Sequence, residues 1–158
     1  MIKVLFVCLG NICRSPMADA IFQQQVKEAG LGTKIMVDSA GTGSWHVGEK
    51  AHQGTRAVLK KNNIPYNGRA RQLTQRDLSD FDYILAMDES NLANIQQMAG
   101  GESDGEIALF LDYANAAGLS HVKVVPDPYY DGRFNSVYEL VETGSRALLD
   151  HIRKEHNL

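Results

Sequence analysis

Val4-Leu5-Phe6-Val7-Cys8-Leu9-Gly10-Asn11-Ile12-Cys13-Arg14-Ser15-Pro16-Met17-Ala18-Asp19-Ala20 is the stretch that decides how this chain folds. Val4 to Val7 form a short, continuous apolar run of β-formers, the pattern of a parallel strand buried on both faces. A loop over residues 8–15 follows. Beyond it, Pro16 to Gly30 carry apolar Met17, Ile21, Val26 and Ala29 near helical spacing. Ser15 is placed to cap that helix, Pro16 to open it and Gly30 to stop it. Ile35-Met36-Val37 reads as a second strand, so the first 38 residues have the order and length of a βαβ unit.

The same alternation continues outward. Ser39 to Lys50 are rich in Gly and Ser and predict a long surface loop, of the kind that often carries function. A helix is predicted over Gln53 to Asn62 and a short one opening at Thr74-Gln75-Arg76-Asp77. Tyr83 to Met87 form a third strand, Asn91 to Met98 a helix before Gly100-Gly101, and Ile107 to Phe110 a fourth strand. After a loop through Pro126-Asp127-Pro128, a last helix puts Val137, Leu140, Val141, Leu148 and Ile152 on one face, with Gly144 in the stripe. The prediction is a single doubly wound α/β domain over residues 1–158, with a four-stranded, mainly parallel sheet and helices on both faces.

Composition narrows the function. The chain has 158 residues, 44% hydrophobic and 22% charged, and no apolar stretch approaches the ~20 residues of a membrane-spanning helix. The N-terminus has no secretory pattern, which places the protein in the cytoplasm as an expectation. Cys8 and Cys13 are too few for a disulfide framework, and no His or Cys spacing suits a metal; the five histidines read as surface residues. A net charge of −3 argues against a nucleic-acid binder. The charges are nevertheless segregated, with seven bases and no acid from Lys50 to Arg76, then eleven acids against Lys123 from Asp77 to Asp131. This describes two oppositely charged faces, or a basic surface that recruits an anionic partner.

Cys8 sits where a central strand runs into its loop, at the carboxyl end of the sheet where open α/β folds bind ligands. The loop delivers a thiol, then Arg14 and the Ser15 hydroxyl, onto a helix N-terminus. Successive backbone N–H groups and the helix dipole there attract an anion, and a phosphate fits. The same field favours a thiolate, making Cys8 a nucleophile near neutrality. Arg14 offers a planar fork for two phosphoryl oxygens. Gly10 allows close backbone approach, Asn11 tolerates left-handed geometry, and Ser15 can donate to the Cys8 sulfur. Cys13 either packs beside the loop or forms a reversible disulfide with Cys8 that shields it from overoxidation.

Val7 to Ala20 resemble the signature of the low-molecular-weight protein tyrosine phosphatases. The similarity extends through Val37-Asp38-Ser39-Ala40-Gly41-Thr42, Ala70-Arg71-Gln72, Phe81 to Leu92 and Asp127-Pro128-Tyr129-Tyr130. The resemblance implies metal-independent, cofactor-free hydrolysis of phosphotyrosine in proteins through a phosphocysteine. Cys8 would be the nucleophile, Arg14 the phosphate clamp and Asp127 the general acid and base. On sequence alone, Asp127 between two prolines is a turn residue. The phosphate-binding loop would comprise Leu9, Gly10, Asn11, Ile12, Cys13 and Ser15, with Ser39 supporting it. Asp88 would have a supporting electrostatic role or cap the helix that follows. One departure stands out: several members carry a histidine just before the Ala-Arg-Gln match, where this chain has Gly68.

The resemblance also puts Trp45, Tyr129 and Tyr130 around a flat phenyl ring, with Leu9 and Ile12 in the cleft, which favours phosphotyrosine over the shorter phosphoserine. Related phosphoarginine phosphatases tend to carry threonine where this chain has Ile12. Expected partners are phosphotyrosine proteins, a bacterial tyrosine autokinase being the family-based candidate, with no nucleic acid and no membrane, and a monomer or weak dimer as the assembly. The alternatives are a thioredoxin-coupled arsenate reductase, which needs relay cysteines beyond Cys13, and a phosphocysteine carrier of the sugar phosphotransferase IIB type. A silent phosphotyrosine-binding module would be expected to lose the nucleophile or the acid.

Overall fold

The computed structural model describes residues 1–101 and 103–158. In chain order it contains β1 (Ile2–Cys8), α1 (Arg14–Glu28), β2 (Ile35–Gly41), α2 (Gln53–Lys61), α3 (Gln75–Asp80), β3 (Tyr83–Ala86), α4 (Glu89–Ala99), β4 (Glu106–Leu109), α5 (Asp112–Ala116), α6 (Pro128–Asp131) and α7 (Phe134–His156). The four strands are parallel throughout, in the order β2-β1-β3-β4. The polarity reverses direction of growth at β1, so the crevice beyond its carboxyl end is the switch point of the sheet.

Side chains of β1 alternate between two cores, as strand geometry requires. Val4, Phe6 and Cys8 join Met17, Phe22, Phe110, Val141 and Leu148 beneath α1, α5 and α7. Leu5 and Val7 join Leu78, Ile84 and Ile95 beneath α3 and α4. Phe6 is packed edge-on by Phe22 and Phe110, with ring centroids at 5.6 and 5.3 Å. Gly144 earns its place in the α7 stripe by proximity, since a Cβ there would stand 2.8 Å from the Phe110 ring.

The structure departs from the sequence reading at several element ends. Helix α1 begins at Arg14 and Cys13 stands at its N-cap without a side-chain bond, so Ser15 is not the cap. Its hydroxyl turns instead to Cys8. Strand β2 runs past Val37 to Gly41, pairing Leu5 with Asp38 and Cys8 with Gly41, so Ser39 is on a strand and not in the loop. Two short helices, α5 and α6, occupy segments that carry no periodicity in sequence. Gly30 does stop α1, with φ 73°.

Candidate active site

Cys8 ends β1 and its loop curls over the tips of β2 and β3. Thr42 and Gly43 N–H groups donate to the Cys8 and Leu9 carbonyls at 2.9 Å, tying the loop to the end of β2. Gly41 is where this contact is closest, because a Cβ would lie 2.8 Å from the Leu9 carbonyl oxygen. Asn11 takes the left-handed turn, φ 56°, a geometry asparagine tolerates. The backbone N–H groups of residues 9–15 find no acceptor within the described protein, and together with the start of α1 they form a concave anion cradle.

Polar side chains beneath the loop hold this shape. Asn11 Oδ1 accepts from the Arg71 N–H at 3.0 Å, and its Nδ2 donates to Ser15 Oγ at 2.7 Å and Ser39 Oγ at 3.0 Å. Ser15 Oγ lies 3.0 Å from Cys8 Sγ. Arg14 is buried, and its Nη1 donates to Asp88 Oδ2 at 2.7 Å and to the Val125 carbonyl at 3.0 Å. With Nη1 occupied, Nε and Nη2 remain to face a phosphoryl group. Asp88 Oδ1 also accepts the Asn91 N–H at 2.8 Å and caps α4.

Asp127 caps α6, accepting the Tyr129 N–H at 3.0 Å, and its other oxygen lies 3.7 Å from Arg14 Nη2. Cys8, Arg14 and Asp127 therefore line one cleft of about 300 Å³. Gly10, Ile12 and Cys13 also line it. Its rim is Leu9, Trp45, Tyr129 and Tyr130, all exposed, with Trp45 71% accessible. Large aromatic surface left in water around one opening marks a place for a ring. Both thiols are free and buried. Burial, with the neighbouring Cys8 and Asp127 adding and Arg14 opposing, pushes the Cys13 thiol up to about 12, so Cys13 stays protonated at working pH.

Two of the five histidines, both half-exposed, also reach the cleft or its loop. His46 lines the cleft and its ring blocks any side chain at Gly10, where a Cβ would come within 2.9 Å. The His52 N–H donates to the Ile12 carbonyl at 2.7 Å. Its ring Nδ1 caps α2 by accepting the Gly54 N–H at 3.0 Å. That ring stacks on Phe134 at 5.0 Å and meets Tyr129 edge-on at 5.6 Å. The sequence signal was Gly54, which has no room for a side chain against Phe134. Among the described residues no group of three His, Cys, Asp or Glu side chains is arranged to hold a metal ion, and no helix is long and apolar enough to cross a membrane.

A parallel sheet whose central strand delivers a thiol, an arginine and free amides to one end is the framework of a phosphate-ester enzyme. The chain belongs to the low molecular weight phosphotyrosine protein phosphatase family, whose model matches residues 3–158, and it is a phosphatase. It is 49% identical to low molecular weight protein-tyrosine-phosphatase YfkJ of Bacillus subtilis, over 100% of both chains. The crystal structure of YfkJ superposes with a TM-score of 0.94, covering 99% of this chain and 97% of that one. PtpA of Staphylococcus epidermidis, a protein of the same description, is 46% identical over 100% of this chain and 98% of its own. The Drosophila arginine phosphatase is 35% identical with a TM-score of 0.88, covering 96% of this chain and 98% of its own.

Proposed function

We propose that this protein hydrolyses phosphotyrosine in cytoplasmic proteins through a phosphocysteine, without a metal or cofactor. The observation that carries the reading is the convergence of Cys8, Arg14 and Asp127 on one cleft with an aromatic rim. In the first step Cys8 Sγ attacks phosphorus in line while the bond to the phenol oxygen breaks. Asp127, as the carboxylic acid, gives its proton to that oxygen. Arg14 and the loop amides bind the three equatorial oxygens as charge develops on them. In the second step a water attacks phosphorus, the Asp127 carboxylate takes its proton, and the P–S electron pair returns to sulfur with inorganic phosphate released. Ser15, 3.0 Å from Cys8 Sγ, donates to the departing thiolate.

Trp45, Tyr129 and Tyr130 favour a phenyl ring, and Ile12 on the cleft wall offers an arginine phosphate no polar partner. The names of the YfkJ and PtpA relatives agree with tyrosine. A tyrosine autokinase is the partner to test first. The test is hydrolysis of p-nitrophenyl phosphate in excess EDTA, wild type beside Cys8→Ser. Wild-type turnover should be insensitive to EDTA, while the variant loses turnover and retains inorganic phosphate binding. Turnover by Cys8→Ser would remove the nucleophile from this scheme. A phosphotyrosyl peptide should outrun a phosphoarginyl one by at least about tenfold, and the reverse order would reassign the substrate.

A further inference from the structure

The acid and the phosphate loop come from distant parts of the chain, and the segment that carries the acid is bonded mainly to itself. Among the described residues, the hydrogen bonds of residues 128–133 go to Asp127, to one another and to the first turn of α7. Asp127 approaches Arg14 only to 3.7 Å, longer than a hydrogen bond. Side-chain packing therefore decides where α6 sits over the cleft.

That packing centres on His52. The first turn of α2 is bonded to the phosphate loop: the His52 N–H donates to the Ile12 carbonyl at 2.7 Å, and the buried Thr55 hydroxyl donates to the Cys13 carbonyl at 3.0 Å. The Gly54 N–H donates to His52 Nδ1, which fixes the plane of the imidazole. Phe134 lies on a face of that ring, 19° from parallel, and Tyr129 meets it at 71°. Gly54 leaves Phe134 its place, since no Cβ fits there, and Phe134 also packs on the cluster of Ile12, Cys13 and Ala70. Tyr129 in turn gives its backbone N–H to Asp127. Each link from the phosphate loop to the acid is a direct contact, and the imidazole is the middle one.

We infer that His52 is a positioning residue for the proton transfer: its ring, held by the start of α2, docks Tyr129 and Phe134 so that the Asp127 carboxyl stands over the phosphate loop. The inference rests on the reading of Asp127 as the acid. A proton passes between heavy atoms about 2.6–3.2 Å apart, and a shift of about 1 Å is costly. Without the ring, α6 loses its fixed seat while Cys8, Arg14 and the loop amides keep theirs. The loss should then appear only where the leaving oxygen needs a proton.

The test compares kcat/KM for phenyl phosphate, a poor leaving group, with that for p-nitrophenyl phosphate, a good one. His52→Asn keeps a cap acceptor for α2 and the backbone N–H to Ile12 but removes the ring. It should lower phenyl phosphate turnover about tenfold, the size of one aromatic pair. Its p-nitrophenyl phosphate turnover and its inhibition by inorganic phosphate should stay within about twofold, below that effect. His52→Phe loses the cap but keeps the ring, and should restore the wild-type ratio between the two substrates. Both substrates falling by one factor in His52→Asn, an unchanged ratio there, or a ratio in His52→Phe as poor as in His52→Asn would each overturn the inference. Should His52→Asn not fold, Phe134→Leu, which removes the stacked partner, decides by the same ratio. Asp127→Ala guards the premise. If its ratio matches wild type, the acid reading and this inference fall together; if its ratio shifts and that of His52→Asn does not, the inference alone falls. Adding His52→Asn to Asp127→Ala should move the ratio no further, and a further shift would show the ring acting elsewhere than through the acid.

Discussion

Asp127 keeps one carboxylate oxygen on the Tyr129 N–H and turns the other toward Arg14 Nη2, 3.7 Å away. Pro126 and Pro128 on either side limit the backbone, so little freedom is lost when the carboxyl is aimed into the cleft. An acid matters in proportion to how badly the leaving group needs a proton. Asp127→Ala should therefore cost about a hundredfold with phenyl phosphate and far less with p-nitrophenyl phosphate, checked by kcat across a series of substituted phenyl phosphates. Equal losses along the series would take the acid role away from Asp127. At this scale the sequence was most informative where one residue type has few reasons to be present. Cys8, Arg14 and Asn11 in one loop point to an anion, and Asn11 does adopt the left-handed backbone. Tyr66 was illegible, because its partner Asp19 is 47 residues away in sequence and meets it only through the fold.

Helix α3 shows how local chemistry places an element that supports the site from behind. Thr74 accepts the Asp77 N–H at 3.3 Å and the Thr74 N–H donates to Asp77 Oδ2 at 2.8 Å, a capping box that satisfies two helix-end donors. The same carboxylate pairs with Arg71, whose backbone N–H holds Asn11. Thr74→Ala should lower unfolding free energy by about 1 kcal/mol, measured by urea denaturation, while phosphatase turnover changes little, since Asp77 still reaches Arg71. Elements of this kind were legible when an opening residue or a long period announced them, as for α3 at Thr74 and for α7. The far end of β2 was not, because Asp38-Ser39-Ala40-Gly41 has loop composition and is a strand only by pairing with β1. Helices α5 and α6 are too short to show a period at all.

Across the whole molecule two buried carboxylates give stability opposite dependences on pH. Desolvation raises the Asp19 pKa from 3.8 to about 6; the stability from its protonated form is complete below pH 3.8 and is lost as pH rises through about 6. Desolvation also acts on Asp77, but the Arg71 and Thr74 hydrogen bonds outweigh it and lower its pKa. Its contribution is present above pH 3.8 and is lost as pH falls through the lowered value. The difference in unfolding free energy between Asp19→Asn and wild type should thus change by about 2 kcal/mol between pH 4 and pH 7, in favour of the variant at pH 7. Urea melts at both values check it, and a pH-independent difference would contradict the assignment. The doubly wound architecture itself was readable from the alternation of apolar runs, whereas the order β2-β1-β3-β4 required long-range packing. That order bears on biosynthesis. The face of β1 and α1 that carries Phe6 and Met17 is covered by α7, which begins more than a hundred residues after α1 ends. At ribosomal speeds of roughly 5–20 residues per second, the nascent apolar surface waits about 5–20 s for its cover. Val125 and Asp127, which border Arg14, emerge in the same late window, so a nascent chain that already carries Cys8 and Arg14 still lacks the contacts that complete the cleft around them.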